Sequence, residues 1–116
     1  MKTIILSGLF LLSFPGYEKH DNRIDYIVSV GEVFTVELEA NWTTGYSWQW
    51  ENKSRVTIAD TLRREYMKTS DRLGSQGKEV WTFVGKKKGK ATLTFLYKRP
   101  FETGYVEKKE FRIKVK

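Results

Sequence analysis

The chain of 116 residues has no cysteine and one histidine, His20. That removes thiolate nucleophiles, thiolate metal sites and disulfides, and a single imidazole assembles neither a Ser-His-Asp triad nor a histidine metal site. Aspartate and glutamate are scattered without a cluster. The composition therefore argues against an enzyme, and neither a metal nor a cofactor is expected. What remains is recognition chemistry, held in three short stretches between strand-like runs: Asn41-Trp42-Thr43-Thr44-Gly45-Tyr46, Gly74-Ser75-Gln76-Gly77 and Arg99-Pro100-Phe101-Glu102.

In the first stretch, Asn and Thr side chains can bond nearby backbone groups, and Gly45 can take a positive φ that a β-branched residue refuses. A short, shaped turn follows, which as bare sequence is either an ordinary hairpin connection or a displayed loop. The second stretch has two glycines three apart in a long polar connection, a pattern that by itself means only flexibility. In the third, Pro100 ends a strand, and Phe101 either folds back on the core or stands out as an aromatic anchor.

The elements that must carry these loops show the two-residue period of half-buried strands. Strands are expected over 24–30, 33–39, 46–51, 79–84, 91–97 and 107–115, with a short apolar run over 56–59. Phe34, Val36 and Leu38 share one face, as do Trp81 with Phe83, Leu93 with Phe95 and Tyr97, and Phe111 with Ile113 and Val115. Residues 62–68 could form a helical turn, but an edge strand protected by its charges is the better reading. Seven or so short strands with turns every eight to twelve residues predict an all-β sandwich of about seven to eight antiparallel strands without a disulfide. Trp48 would be the buried tryptophan of the third strand. An OB-type barrel is the runner-up, although it calls for fewer strands and a helix that is not found.

One domain is expected, over 24–116, preceded by a linker over 17–23 and an apolar segment over 1–16. The start, Met1-Lys2-Thr3 followed by an apolar run to Phe14, has the form of a secretory signal with a poorly defined cleavage site. A signal would make the protein exported, periplasmic or secreted; if the segment instead packs on the domain, the protein is cytoplasmic. The run is too short to span a bilayer, which takes about 20 residues, so no stable membrane insertion is expected. A net charge of +7 favours acidic partners. Trp42, Trp48, Trp50, Tyr97 and Phe101 could stack on nucleic-acid bases, yet most of them sit at core-facing strand positions.

The three stretches together resemble the chagasin family of inhibitors of papain-like cysteine peptidases. Asn41, Thr43, Thr44, Gly45 and Tyr46 match that family's Asn-Pro-Thr-Thr-Gly-Tyr signature, with Trp42 in place of Pro. Gly74-Ser75-Gln76-Gly77 resembles its glycine-rich loop, with Gln76 for a usual Gly and with Trp81 and Phe83 following at the family's spacing. Arg99-Pro100-Phe101-Glu102 resembles its Arg-Pro-Trp loop, with Phe101 for Trp. Each motif is weak alone, but three in order between the right strands, covering about 28–116, are a strong signal. The resemblance implies an immunoglobulin-like sandwich, monomeric and without a cofactor, whose three loops fill a peptidase cleft. It implies that Thr43 and Thr44 approach the catalytic cysteine and histidine, that Asn41 and Gly45 hold the loop's shape, and that Phe101 anchors, with Arg99 bonding nearby acidic or carbonyl groups. A papain-like peptidase, not nucleic acid, is then the partner. The alternative is a secreted immunoglobulin-like module binding carbohydrate, nucleic acid or another acidic partner.

Asn41-Trp42-Thr43 and Asn52-Lys53-Ser54 both fit the N-glycosylation pattern, and a glycan on Asn41 would sit on the proposed binding loop. A bacterial exported protein or a non-secreted eukaryotic one avoids that conflict. Mass spectrometry of the native protein should find Asn41 unmodified; a sugar there would overturn this reading.

Overall fold

Alternation of apolar and polar residues builds the strands. In β2 (Val33–Ala40), Phe34, Val36, Leu38 and Ala40 turn inward and are buried, while the residues between them face solvent. The computed structural model describes residues 23–69 and 76–116. The signal-like segment 1–16, the linker up to residue 22 with His20, and Gly74 and Ser75 lie outside the described residues.

The remaining strands are β1 (Tyr26–Val28), β3 (Ser47–Trp50), β4 (Ala59–Lys68), β5 (Gly77–Gly85), β6 (Gly89–Lys98) and β7 (Glu107–Val115). They form a four-stranded sheet, β1-β7-β6-β3, and a three-stranded sheet, β2-β5-β4. The fold is the expected sandwich, with two departures. First, β1 pairs with β7 in parallel, whereas every other pair is antiparallel. Second, β1 is shorter than the expected 24–30. A tight corner ends it: Glu32 N–H donates to Ser29 O, Ser29 N–H donates to the Glu32 side chain, and Gly31 has a φ of 87°. That corner carries the chain from one sheet into the other, which is why β1 cannot pair antiparallel with β2.

Residues 56–58 do not make a strand. A 3-10 turn over Lys53–Arg55 precedes them, and only Ala59 joins β4. The 62–68 stretch is an edge strand and not a helical turn, but a bulge between Thr61 and Arg63 shifts its register. Before the bulge, Thr61 lies opposite Phe83; after it, Arg64 lies opposite Trp81 and Tyr66 opposite Glu79. One extra residue flips every later side chain to the other face. Without it, Arg63 and Glu65 would stand where Arg64 and Tyr66 now do.

The core between the sheets is aromatic. The Phe83 ring centroid lies 5.5 Å from Phe34, 5.0 Å from Trp50 and 6.2 Å from Phe95. Trp48 is buried as expected, its Nε1–H donating to Glu39 O at 2.9 Å. Since Phe83 touches rings from both sheets, Phe83→Ala should lower the unfolding free energy by about 3–5 kcal/mol. Urea denaturation checks this; a loss under 1 kcal/mol would contradict the packing described.

Candidate binding surface at one end of the sandwich

Strand register brings the strand ends that flank the three predicted loops to one end of the fold. Ala40 lies opposite Gly77, and Gly77 opposite Lys68, so the β2–β3 and β4–β5 connections leave the same end of one sheet. Ser47 lies opposite Lys98 and Tyr97 opposite Glu107, which puts the β6–β7 connection there too. Connections far apart in sequence thus leave from one end of the sandwich.

The first loop is organised by Asn41. Its Oδ1 accepts from Thr43 N–H at 3.1 Å and from the Thr43 hydroxyl, and its backbone O accepts from the Thr44 hydroxyl at 2.7 Å. Its own N–H donates to the Tyr97 hydroxyl at 3.0 Å. Trp42–Thr44 wind into one 3-10 turn, which Gly45 closes at φ 85° with its N–H donating to Trp42 O. An L side chain at that φ costs about 1–2 kcal/mol, so the glycine is needed. Both threonine hydroxyl hydrogens are spent inside the loop. Outward, these side chains present methyl groups and oxygen lone pairs, not donors.

Trp42, 41% exposed, leans onto β4. Its ring stacks on Tyr66 with centroids 4.4 Å and planes 9° apart, and the Arg64 guanidinium lies 5.3 Å from it. A proline here could offer neither the indole nor the N–H that points to the Tyr66 hydroxyl at 3.4 Å. Tyr46 is half-buried and belongs to the loop rather than to β3; it tilts against Tyr97 and carries the Arg99 guanidinium 4.8 Å from its ring centre. A shallow cleft of about 250 Å³ runs between Trp42, Gly45, Tyr46, Ser47 and Arg64.

In the third loop, Arg99 Nη1–H donates to Glu102 Oε2 at 3.4 Å, and Glu102 N–H donates to Arg99 O at 3.1 Å, closing a turn. At its tip Phe101 is 96% exposed. It does not fold back onto the core. An aromatic ring held out on a turn is open to contact from outside the fold.

The glycine-rich stretch is only partly described. Gln76 is exposed, and its carbonyl accepts from the N–H and hydroxyl of Thr69, closing the connection. Gly77 is not a loop residue, contrary to expectation. It is buried as the first residue of β5, where a Cβ would lie 2.6 Å from Met67 O and 2.7 Å from the Tyr66 ring. Its smallness lets Tyr66 cross the strand, and Tyr66 in turn supports Trp42.

Sequence reasoning missed Arg64, Tyr66 and Glu79. Glu79 could have been found, because it shares the inward parity of Trp81 and Phe83; the other two are concealed by the bulge. Among the described residues no group of acidic or histidine side chains could hold a metal ion.

A family model described as chagasin family peptidase inhibitor matches residues 27–115. The chain belongs to the chagasin family of peptidase inhibitors. No curated protein matches its sequence. Among solved structures, this chagasin-family chain is similar to the cysteine protease inhibitor EhICP2 from Entamoeba histolytica, with TM-score 0.64 and 19% identity over 79% of this chain and 88% of that one. It is also similar to the ICP of Leishmania mexicana, with TM-score 0.53 and 27% identity over 83% and 89% of the two chains. PbICP-C, solved in complex with falcipain-2, gives TM-score 0.51 and 23% identity over 85% and 95%. These likenesses agree with the immunoglobulin-like sandwich. Within this chagasin-family loop, Asn41→Ala should cost about 1 kcal/mol of local order. Amide exchange at Thr43 should then be roughly fivefold faster with little change in melting temperature; unchanged exchange would show that Asn41 does not hold the turn.

Proposed function

We propose that this protein is a reversible, tight-binding inhibitor of papain-like cysteine peptidases that blocks the active-site cleft with its three loops. The observation that carries this is the pairing, at one end of the fold, of a turn tied by Asn41 and Gly45 with an outstanding Phe101. Membership of a peptidase-inhibitor family supports it, as does the likeness to PbICP-C, whose structure was solved bound to falcipain-2.

The first loop would enter the cleft. Residues 42–44 are wound into a helical turn and tied at both ends. None of their peptide bonds is free to align as a substrate bond for attack, so the loop would occupy the catalytic centre without being cut. Because Asn41 and Gly45 hold that shape before binding, little ordering entropy is lost on association. Thr43 and Thr44 would bring small side chains and acceptor oxygens near the catalytic cysteine and histidine. Phe101 would fill an apolar site on the cleft wall, with Arg99, held on Tyr46, beside it. Gly74, Ser75 and Gln76 would form the third contact. The basic charge would speed encounter with an acidic peptidase more than it would tighten the complex.

Titrating papain and a cathepsin-like peptidase with the purified protein, using a small fluorogenic substrate, tests the proposal. Stoichiometric loss of activity is expected, with the inhibitor recovered uncut. Phe101→Ala should weaken inhibition by about 2 kcal/mol, roughly 30-fold, and Thr44→Trp should weaken it further by crowding the loop tip. No loss at micromolar inhibitor across several papain-like enzymes would overturn the proposal.

A further inference from the structure

Glu79 is fully buried, and it is the one buried acidic residue among the described residues. Its carboxylate takes hydrogen bonds from four donors. Oε2 accepts from Trp42 Nε1–H at 2.8 Å and from Trp48 N–H at 2.9 Å. Oε1 accepts from Trp81 Nε1–H at 2.9 Å and from Arg64 Nε–H at 3.1 Å. An ionised carboxylate has about four lone-pair sites, so the group is saturated. The donors come from the first loop, β3, β5 and β4, and therefore from both sheets.

Three of these donors belong to the scaffold. The fourth belongs to the loop. No residue of the Trp42–Thr44 turn is itself buried; Asn41 N–H, at its cap, donates to the Tyr97 hydroxyl at 3.0 Å, and Trp42 N–H donates to the Tyr66 hydroxyl at a long 3.4 Å. The Trp42 indole is thus the turn's deepest anchor, with one end fixed by a charged acceptor and one face by Tyr66. Burying a carboxylate costs several kcal/mol that an apolar side chain would avoid, and only directed, charge-assisted hydrogen bonds offset it. What the carboxylate adds over a hydrocarbon is direction.

We infer that Glu79 is a positioning residue for inhibition: through the Trp42 indole it fixes where the first loop stands relative to the scaffold, and so how it enters a peptidase cleft. This rests on the inhibitory reading above. Arg64, which also donates to Trp48 O at 3.0 Å and lies 5.0 Å from the Trp81 ring, holds the carboxylate in place.

The test is a double-mutant cycle of Glu79→Gln and Trp42→Phe, read both as the inhibition constant for papain and as amide exchange at Thr43 to Gly45 in the free protein. The glutamine keeps the shape but turns an NH₂ towards donors; the phenylalanine keeps the stack on Tyr66 but removes the indole N–H. Each single change should weaken inhibition at least tenfold and speed loop exchange at least tenfold. In the Trp42→Phe background, adding Glu79→Gln should cost less than threefold more, because the same link is already cut. Fully additive losses, or loop exchange unaltered by either change, would overturn the inference, since a purely structural glutamate would lower global stability without moving the loop. Should Glu79→Gln fail to fold, Trp42→Phe alone still decides, because it leaves Glu79 three donors: faster loop exchange at a nearly unchanged melting temperature is expected, and unaltered exchange overturns the inference. If the wild type inhibits neither papain nor other papain-like enzymes, the inhibitory reading fails, and the exchange measurements still report whether Glu79 places the loop.

Discussion

One buried carboxylate sets most of the local architecture at the working end of this protein. Glu79 must have donors on every side, because an ionised group inside an aromatic core is tolerated only when its lone pairs are filled. The two indoles of Trp42 and Trp81, the Trp48 amide and the Arg64 guanidinium fill them. Meeting that demand requires the bulge that turns Arg64 inward, and the Gly77 that lets Tyr66 cross over β5 to support Trp42. Features that look unrelated along the chain serve one electrostatic constraint.

The result is a surface of two unlike parts. The first loop is tied internally by Asn41 and externally by Tyr97, Tyr66 and Glu79, so it behaves as an extension of the scaffold. The third loop is held by a short turn, by Arg99 lying on Tyr46 and by an exposed Arg99–Glu102 pair worth little in water. Its Phe101 has no support from the core. A rigid wedge beside an adaptable aromatic anchor suits a cleft whose centre is fixed and whose walls differ from one peptidase to another.

Much of this was legible beforehand. Six of the seven strands fell where a period of two placed them, since one face of each meets a core and the other meets water. The span 107–115 agrees to the residue with β7, and the charged stretch 62–68 lies at an edge. The loop residues were legible for a different reason, that Asn, Thr, Gly and Pro have local backbone preferences which the chain states one residue at a time.

Periodicity could not supply facts that arise only when distant segments meet. The parallel β1–β7 pair follows from a corner between sheets, and the inward face of β4 follows from a single bulged residue that alternation conceals. Gly77, which reads as part of a flexible loop, is a strand residue whose missing side chain is demanded by a ring eleven positions earlier in the chain. The sequence by itself determined the sandwich and where its strands are connected, because these depend on local preference and on which face is apolar. Tertiary structure alone decided that Trp42 reaches Glu79, because that bond requires three strands and a loop to converge on one carboxylate, and no local rule encodes such convergence.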